Sequence, residues 1–254
     1  MAEKSSVISN DQIETAIPIS ERVYLERVRL LYGHAVGNIA GALMGAILIA
    51  IVMHSAGVSN TLIQIWLFVI SCFSLVVAYV EYAFKKASLT CENANNWAKA
   101  RILSGAFVGI MYGIAPFLLS SDSTAIPAMF MFIIISAMVS IATTGYSVMP
   151  SHYIVLNCVT MIPLTIFFIF KSGSIYNVLT VAAIAWQYFI IKKGLAVSKT
   201  TIEAIFLNER LRDEVEHHLE TKKELQRMAT HDPLTGLPNR RLLNDLIDHI
   251  ISIS

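Results

Sequence analysis

The fold is decided by an uncharged stretch, Leu30–Val80, which reads LLYGHAVGNIAGALMGAILIAIVMHSAGVSNTLIQIWLFVISCFSLVVAYV. It contains no Asp, Glu, Lys or Arg, and between Ile102 and Ile191 the only such residues are Asp122 and Lys171. A helix on the core of a soluble protein keeps one polar face, and these segments have none. The sequence therefore predicts helices that are surrounded by lipid.

The composition of the whole chain agrees with this class. Hydrophobic residues make up 55% of the chain and charged residues 15%, which is typical of membrane proteins. The net charge of +1, without a long basic run away from the membrane flanks, predicts no nucleic-acid partner. Cys72, Cys91 and Cys158 form no CxxC pair, so we expect no disulfide framework. The polar N-terminal residues lack the apolar stretch of a cleavable signal peptide.

We predict six transmembrane spans, each near the roughly 20 residues that cross a bilayer, at residues 35–54, 62–82, 102–119, 125–147, 153–170 and 175–191. Basic residues cluster before the first span, between the second and third, and after the sixth: Arg22, Arg27, Arg29, Lys85, Lys86, Lys99, Arg101, Lys192, Lys193 and Lys199. The loops on the other side carry only Lys171. The positive-inside rule then predicts that both termini are cytoplasmic.

The segment before the first span is predicted to be a short interfacial helix. Residues Ser20–Tyr32 are helix-favouring, and Ser20 is a candidate N-cap. Its arginines could bind anionic lipid headgroups, or they could simply anchor the topology.

Small residues recur at every fourth position in two of the predicted spans. These glycines form one stripe on the first span and one on the third: Gly33, Gly37, Gly41, Gly45, Gly105, Gly109 and Gly113. Such stripes allow helix backbones to approach closely, either within one chain or between subunits.

Two polar residues in the spans are candidates for a functional role. Glu81 is the one acidic side chain close to the hydrocarbon, although an ion pair with Lys85 one turn later would also explain it. Asn157 lies within the fifth span, where Pro163 predicts a kink or a freed carbonyl. No histidine has ligand-like spacing with a carboxylate, so we predict no metal site.

After the sixth span the composition changes to charged, helix-favouring residues. Glycine and proline are missing from Leu195 through Asp232, which predicts one continuous helix. A heptad register places Leu211, Leu225 and Val215 at core positions together with several polar residues, and Asn208 could fix a parallel pairing. The connector is therefore predicted either to form a weak coiled-coil homodimer or to stay a solvated helix.

The connector leads into His231–Arg241, which reads HDPLTGLPNRR and describes a helix stop, a turn and a helix restart. This string resembles the opening of the GGDEF domain of bacterial diguanylate cyclases, which join two GTP molecules into cyclic di-GMP. The residues that match its opening turn are Asp232, Leu234, Thr235, Gly236, Leu237, Asn239, Arg240 and Arg241. The resemblance implies that Asp232 and Arg240 brace the turn, and that neither is catalytic.

In that family the phosphate-binding turn and the metal-binding carboxylates follow later in the domain. No two of the 12 glycines are adjacent, so the G-G-[DE]-E-F signature is missing from these residues. We therefore expect no catalytic residues, no metal and no cofactor in this chain, with magnesium and GTP used only by the intact relative. A histidine kinase is less favoured, because Asp232-Pro233 breaks the helix directly after His231.

The predicted fold class is an all-α membrane protein: a six-helix transmembrane bundle, a cytoplasmic connector helix and a truncated α/β (GGDEF) domain start. The predicted parts are a cytoplasmic N-terminal segment at 1–33, the transmembrane sensor domain at 34–191, the connector at 192–229 and the domain start at 230–254. The expected function is the sensory part of a cyclic-di-GMP signalling protein in the bacterial inner membrane. The expected partners are the lipid bilayer, a second copy of the chain and an unknown signal ligand. The alternative is a stand-alone transporter, or a regulator that pairs with a full-length cyclase.

Overall fold

The computed structural model describes residues 17–33, 35–119, 124–232, 237 and 239, with the backbone alone at 35, 36, 38 and 144. Its regular elements are helices, which confirms the all-α prediction for this part of the chain. In chain order they are α1 Ile19–Leu31, α2 Ala35–Ser55, α3 Asn60–Lys86, α4 Cys91–Ile114, α5 Ala125–Tyr146, α6 Pro150–Phe170 and α7 Ser174–Thr230. A single 3-10 turn, Ala115–Leu118, follows α4.

Several of these helices are long and apolar enough to cross a membrane. By length and composition five described segments qualify: Asn60–Lys86, Cys91–Leu118, Ala125–Thr143, Pro150–Phe170 and Ser174–Thr230. Within α2, Ile39–Ser55 is a shorter apolar helix. Large apolar side chains such as Phe68 and Leu75 point outward, with 70% and 69% of their surface exposed. Exposure on this scale is unfavourable in water and is what a lipid-facing surface requires.

Local sequence explains where the helices begin and turn. Ser59 caps α3 by accepting a hydrogen bond from the Leu62 N–H, and Thr90 with Asn93 forms a capping box at the start of α4. Gly57 (φ 78°) and Gly173 (φ 133°) lie in the connections before α3 and before α7. Both conformations strain any residue with a Cβ, which accounts for glycine at these two turns.

The described chain divides into two compact units. One contains Ser20–Ile205, and the other includes the described residues from Phe206 onward. The division between the two units falls within α7. Inside the larger unit α4 packs most extensively on α6, while α2 packs on both α3 and α5.

Two buried clusters hold the larger unit together. The first is almost wholly apolar and includes Met53, Trp66 and Phe168. The second surrounds α1, with Val28 fully buried and Leu31 packed beside it. The buried charge of the candidate site lies beside the second cluster, since Arg101 packs over the ring of its Tyr146.

Helix α1 is part of this packed core. Of its arginines, Arg22 is only 8% exposed and Arg27 donates from Nε to the Val148 carbonyl at 3.0 Å, whereas Arg29 is exposed. Burial also lowers the pKa of the Arg27 guanidinium from its usual value. The apolar residues of α1 face the bundle, and Arg22 lies on the same buried side.

Helix α6 continues through Pro163, which lies inside Pro150–Phe170. A proline at this position leaves the carbonyl of Val159, four residues earlier, without its helical donor. Gly113 of α4 lies against that region: a Cβ there would be 3.0 Å from the Val159 oxygen and 2.6 Å from the Thr160 oxygen. The glycine thus allows the α4 backbone to lie against α6 at the point where Pro163 interrupts its helical hydrogen bonds.

Candidate functional site

The most unusual feature of the larger unit is a buried ion pair between α3 and α4. The Arg101 Nη2 lies 3.1 Å from the Glu81 Oε1, and the side chains are only 1% and 5% exposed. The short connection between α3 and α4 folds the two helices back on each other and brings these residues together. The structure therefore pairs Glu81 with Arg101, whereas the sequence had suggested Lys85, which is exposed. Isolated charges at such a depth would be very costly, so each residue requires the other.

An aromatic cluster, Tyr32 with Phe84 and Trp97, closes one side of this pair. The Tyr32 and Phe84 rings stack at 3.8 Å, and Trp97 meets both edge-on. The Tyr32 hydroxyl donates to the Trp97 carbonyl at 2.8 Å, which ties the end of α1 to α4. Burial raises the pKa of Tyr32 well above its usual range, against the opposing effect of the Arg101 charge. The hydroxyl therefore stays protonated and acts as a donor.

On the other side, Arg101 faces α5. Its guanidinium carbon lies 5.0 Å from the centre of the Tyr146 ring, a cation–π geometry. Among the described residues, the Arg101 Nε and Nη1 atoms are buried and make no hydrogen bond. A buried guanidinium in a protein normally uses most of its five donors. This arginine therefore has spare hydrogen-bonding capacity in an apolar setting.

The same arginine lies in the wall of a cavity of about 320 Å³. The cavity is bounded by α2, α3, α4, α5 and α6, and its lining is overwhelmingly apolar. Gly37 and Gly41 of α2 form part of the lining, and a Cβ at either would meet nothing within 4 Å. Its volume lies within the range that small-molecule sites occupy.

A second polar contact joins the bundle to α7. The Tyr153 hydroxyl donates to the Ile190 carbonyl at 2.6 Å and lies 3.5 Å from the Thr143 hydroxyl. Gly194 lies flush against the same ring, since a Cβ there would be 2.0 Å from a Tyr153 ring carbon. Tyr153 thus fixes one face of α7 to α6. Asn157, the other predicted polar candidate, is fully buried one turn further along α6.

The glycines of the two predicted stripes fall into three groups. Gly45 faces Met138, Gly105 faces the Tyr146 hydroxyl at 3.2 Å, and Gly109 faces the Thr160 hydroxyl at 2.6 Å, each measured from an ideal Cβ. Together with Gly113 these four lie at close approaches between helices of one chain. Gly37 and Gly41 face open space, as described above. Gly33, after α1, faces only the carbonyl of Leu30.

The predicted opening turn is described only in part. The Asp232 N–H donates to the Leu237 carbonyl at 2.8 Å, and the Asn239 N–H donates to the Thr230 carbonyl at 2.9 Å. The Asn239 side chain also donates to the Ala229 carbonyl at 2.7 Å, near the end of α7. Leu234, Thr235, Gly236, Arg240 and Arg241 lie outside the described residues, as does nearly all of the predicted α/β domain start.

Within the described part of the chain, no three His, Cys, Asp or Glu side chains come together as a metal site. The sequence analysis did not predict the role of Arg101 in this site. It used Arg101 only as one of the basic residues that flank the membrane spans. One sequence signal could have indicated the pair. Glu81 and Arg101 carry opposite charges and lie on either side of the same short connection between two spans. Comparison of the chain with protein-family models, with curated proteins and with solved structures finds no match.

Proposed function

We propose that this chain is the membrane-anchored sensory part of a bacterial cyclic-di-GMP signalling protein, lying in the inner membrane with six spans and both termini in the cytoplasm. In the intact relative, a GGDEF domain that follows α7 would convert GTP to cyclic di-GMP with magnesium. The observation that carries the proposal is the HDPLTGLPNRR string of His231–Arg241 at the end of a long helix.

The turn after α7 supports the proposal. Asn239 is bonded to the end of the helix, its side chain to the Ala229 carbonyl and its N–H to the Thr230 carbonyl. A turn that is bonded to the last carbonyls of a helix transmits a movement of that helix better than a loose linker would. Such a junction suits a connection between a signalling helix and a catalytic domain.

The contact between α6 and α7 within the larger unit supports the same proposal. Tyr153 holds the Ile190 carbonyl and packs on Gly194, so a shift of α6 acts directly on α7. Helix shifts of this kind are a common switching movement. The segment beyond Phe206 would then carry the movement to the catalytic domain.

The exposed apolar residues of α7 support pairing of two connectors. Leu211, Val215 and Leu225 occupy the heptad core and are 52%, 57% and 62% exposed. Apolar heptad positions that lie open on one helix are covered when a second helix packs on them. In a dimer, two catalytic domains would meet, as the joining of two GTP molecules requires.

The test is a hybrid in which residues 1–254 are joined in frame to the remainder of an active diguanylate cyclase domain. We expect the membrane-inserted hybrid to form cyclic di-GMP from GTP and magnesium faster than the same catalytic piece without residues 1–229. A folded, membrane-inserted hybrid that is no faster than the isolated piece would contradict the proposal. Residues 1–254 alone should form no cyclic di-GMP under the same conditions, since the metal-binding and phosphate-binding elements are missing from them.

A further inference from the structure

We propose that the cavity beside Arg101 binds a neutral, largely apolar molecule through one hydrogen-bond-accepting oxygen, such as the carbonyl of a long-chain ketone. This assignment rests on the larger unit alone and does not depend on the function of the tail. Three features of the cavity determine the class of ligand: its apolar walls, its spare donors and its charge balance.

The walls select an apolar ligand. Ile135, Val139 and Leu156 line the cavity together with glycines and alanines, and a volume of about 320 Å³ accommodates part of an alkyl chain or a small ring system. Three polar side chains of the lining are already engaged: Ser74 donates to the Ile70 carbonyl, Thr160 to the Leu156 carbonyl and Tyr112 to the Ala42 carbonyl. Arg101 is the charged donor of the lining, and two of its N–H groups have no acceptor among the described residues.

The spare donors select an oxygen that accepts a hydrogen bond. Arg101 is 1% exposed, and its Nε and Nη1 make no hydrogen bond with any residue that the structure describes. Buried donors without acceptors are costly, so a ligand that brings an acceptor recovers that free energy on binding. A pure hydrocarbon would leave these donors unsatisfied.

The charge balance selects a neutral head. The Glu81 carboxylate already neutralises the guanidinium at 3.1 Å. An anionic ligand would place two negative charges around one positive charge in an apolar medium, which is unfavourable. A ketone, ester or quinone oxygen accepts from Arg101 without disturbing the pair.

The rim indicates the route of access. Met44, Ile133 and Ile141 lie at the cavity and are 60%, 59% and 63% exposed, so it opens on the apolar outer surface of the helices. Arg101, which is 1% exposed, lies on the buried side of the lining. A ligand dissolved in the hydrocarbon would therefore enter sideways, with its oxygen leading.

The test uses the full chain in lipid nanodiscs and a long-chain methyl ketone that carries a photoreactive diazirine. We expect labelling of cavity residues, competition by the untagged ketone, and at least about tenfold weaker competition by the fatty acid or the alkane of equal length. Equal competition by the alkane, or stronger competition by the fatty acid, would overturn the assignment of the head group.

Two variants and one control locate the site. Gly41→Leu fills the cavity from a position where a Cβ meets no neighbour, and it should abolish labelling; Ala40→Leu, on the adjacent exposed position, should leave labelling unchanged. Arg101→Lys keeps the charge opposite Glu81 but loses the planar donors, and should weaken ketone binding about tenfold. If Arg101→Lys fails to fold, the Gly41 and Ala40 pair decides. Unchanged labelling in Gly41→Leu would overturn the proposal.

Discussion

Two ion pairs in the larger unit are chemically alike and differ in almost everything else. Arg101 and Glu81 lie 3.1 Å apart with side chains 1% and 5% exposed, whereas Lys199 and Glu203 lie 3.9 Å apart with 80% and 66% exposed. The first joins two helices within the core, and the second joins neighbouring turns on the surface of α7. The depth of a charge, and not its presence alone, therefore determines what it contributes to stability.

The energetic reason is desolvation. An exposed pair exchanges water for a partner at little net gain, commonly about 0–1 kcal/mol. A buried pair has already lost its water, so removing one partner leaves the other uncompensated. The buried pair therefore favours one arrangement of α3 and α4. Either residue of the surface pair on α7 can be substituted with little effect on stability.

The largest expected effect is loss of one buried partner. Arg101→Met should lower the free energy of unfolding by about 3–5 kcal/mol, because Glu81 is left charged or must be protonated in an apolar site. Reversible unfolding in mixed detergent micelles measures this. The double variant Glu81→Leu with Arg101→Met should recover most of the loss; a single variant that costs less than about 1 kcal/mol would equate the buried pair with a surface pair.

A smaller effect is expected where helices touch through glycine. Gly113→Ala should cost about 1–3 kcal/mol, because its Cβ would press on the backbone oxygen of Thr160 at 2.6 Å. Gly37→Ala is the matched control: its Cβ meets open space, and the gain in helix propensity should stabilise α2 by up to about 1 kcal/mol. Equal effects of the two substitutions on unfolding would show that the close approach of α4 and α6 is not needed.

Removing one hydrogen bond at the aromatic cluster should have a more modest effect. Tyr32→Phe keeps the stack on Phe84 but loses the bond to the Trp97 carbonyl, and should cost about 1 kcal/mol. Tyr79→Phe, at a position 70% exposed, should cost nothing measurable in the same unfolding assay. If Tyr32→Phe were as stable as the unmodified chain, this hydrogen bond would not stabilise the packing of α1 on the core.

The smallest effect belongs to the surface pair. Lys199→Ala should change the free energy of unfolding by no more than about 0.5 kcal/mol, in either direction. A loss comparable with that of Arg101→Met would remove the contrast between the two pairs.

The sequence predicted the helices well and the site poorly, for a physical reason. Missing charges over long apolar runs mark helices that face lipid, and the missing glycine and proline after Leu195 mark the continuity of α7. Both signals are local. The pairing of Glu81 with Arg101 depends on how α3 folds back on α4, which is not a local signal. In the sequence, Arg101 looks like any other basic residue that flanks a membrane span. Likewise, the stripe of glycines indicated close packing, but only the packed helices reveal that Gly37 and Gly41 border a cavity instead.

The most direct test of the proposed sensory role is the rate of cyclic di-GMP formation by the hybrid when residues are inserted into α7 after Val215. A seven-residue insertion preserves the heptad phase and should retain most of the activity, whereas a four-residue insertion rotates the catalytic part relative to the connector and should abolish it. Equal rates for the uninterrupted hybrid and both insertions, with all three folded in the membrane, would contradict control of the output through α7.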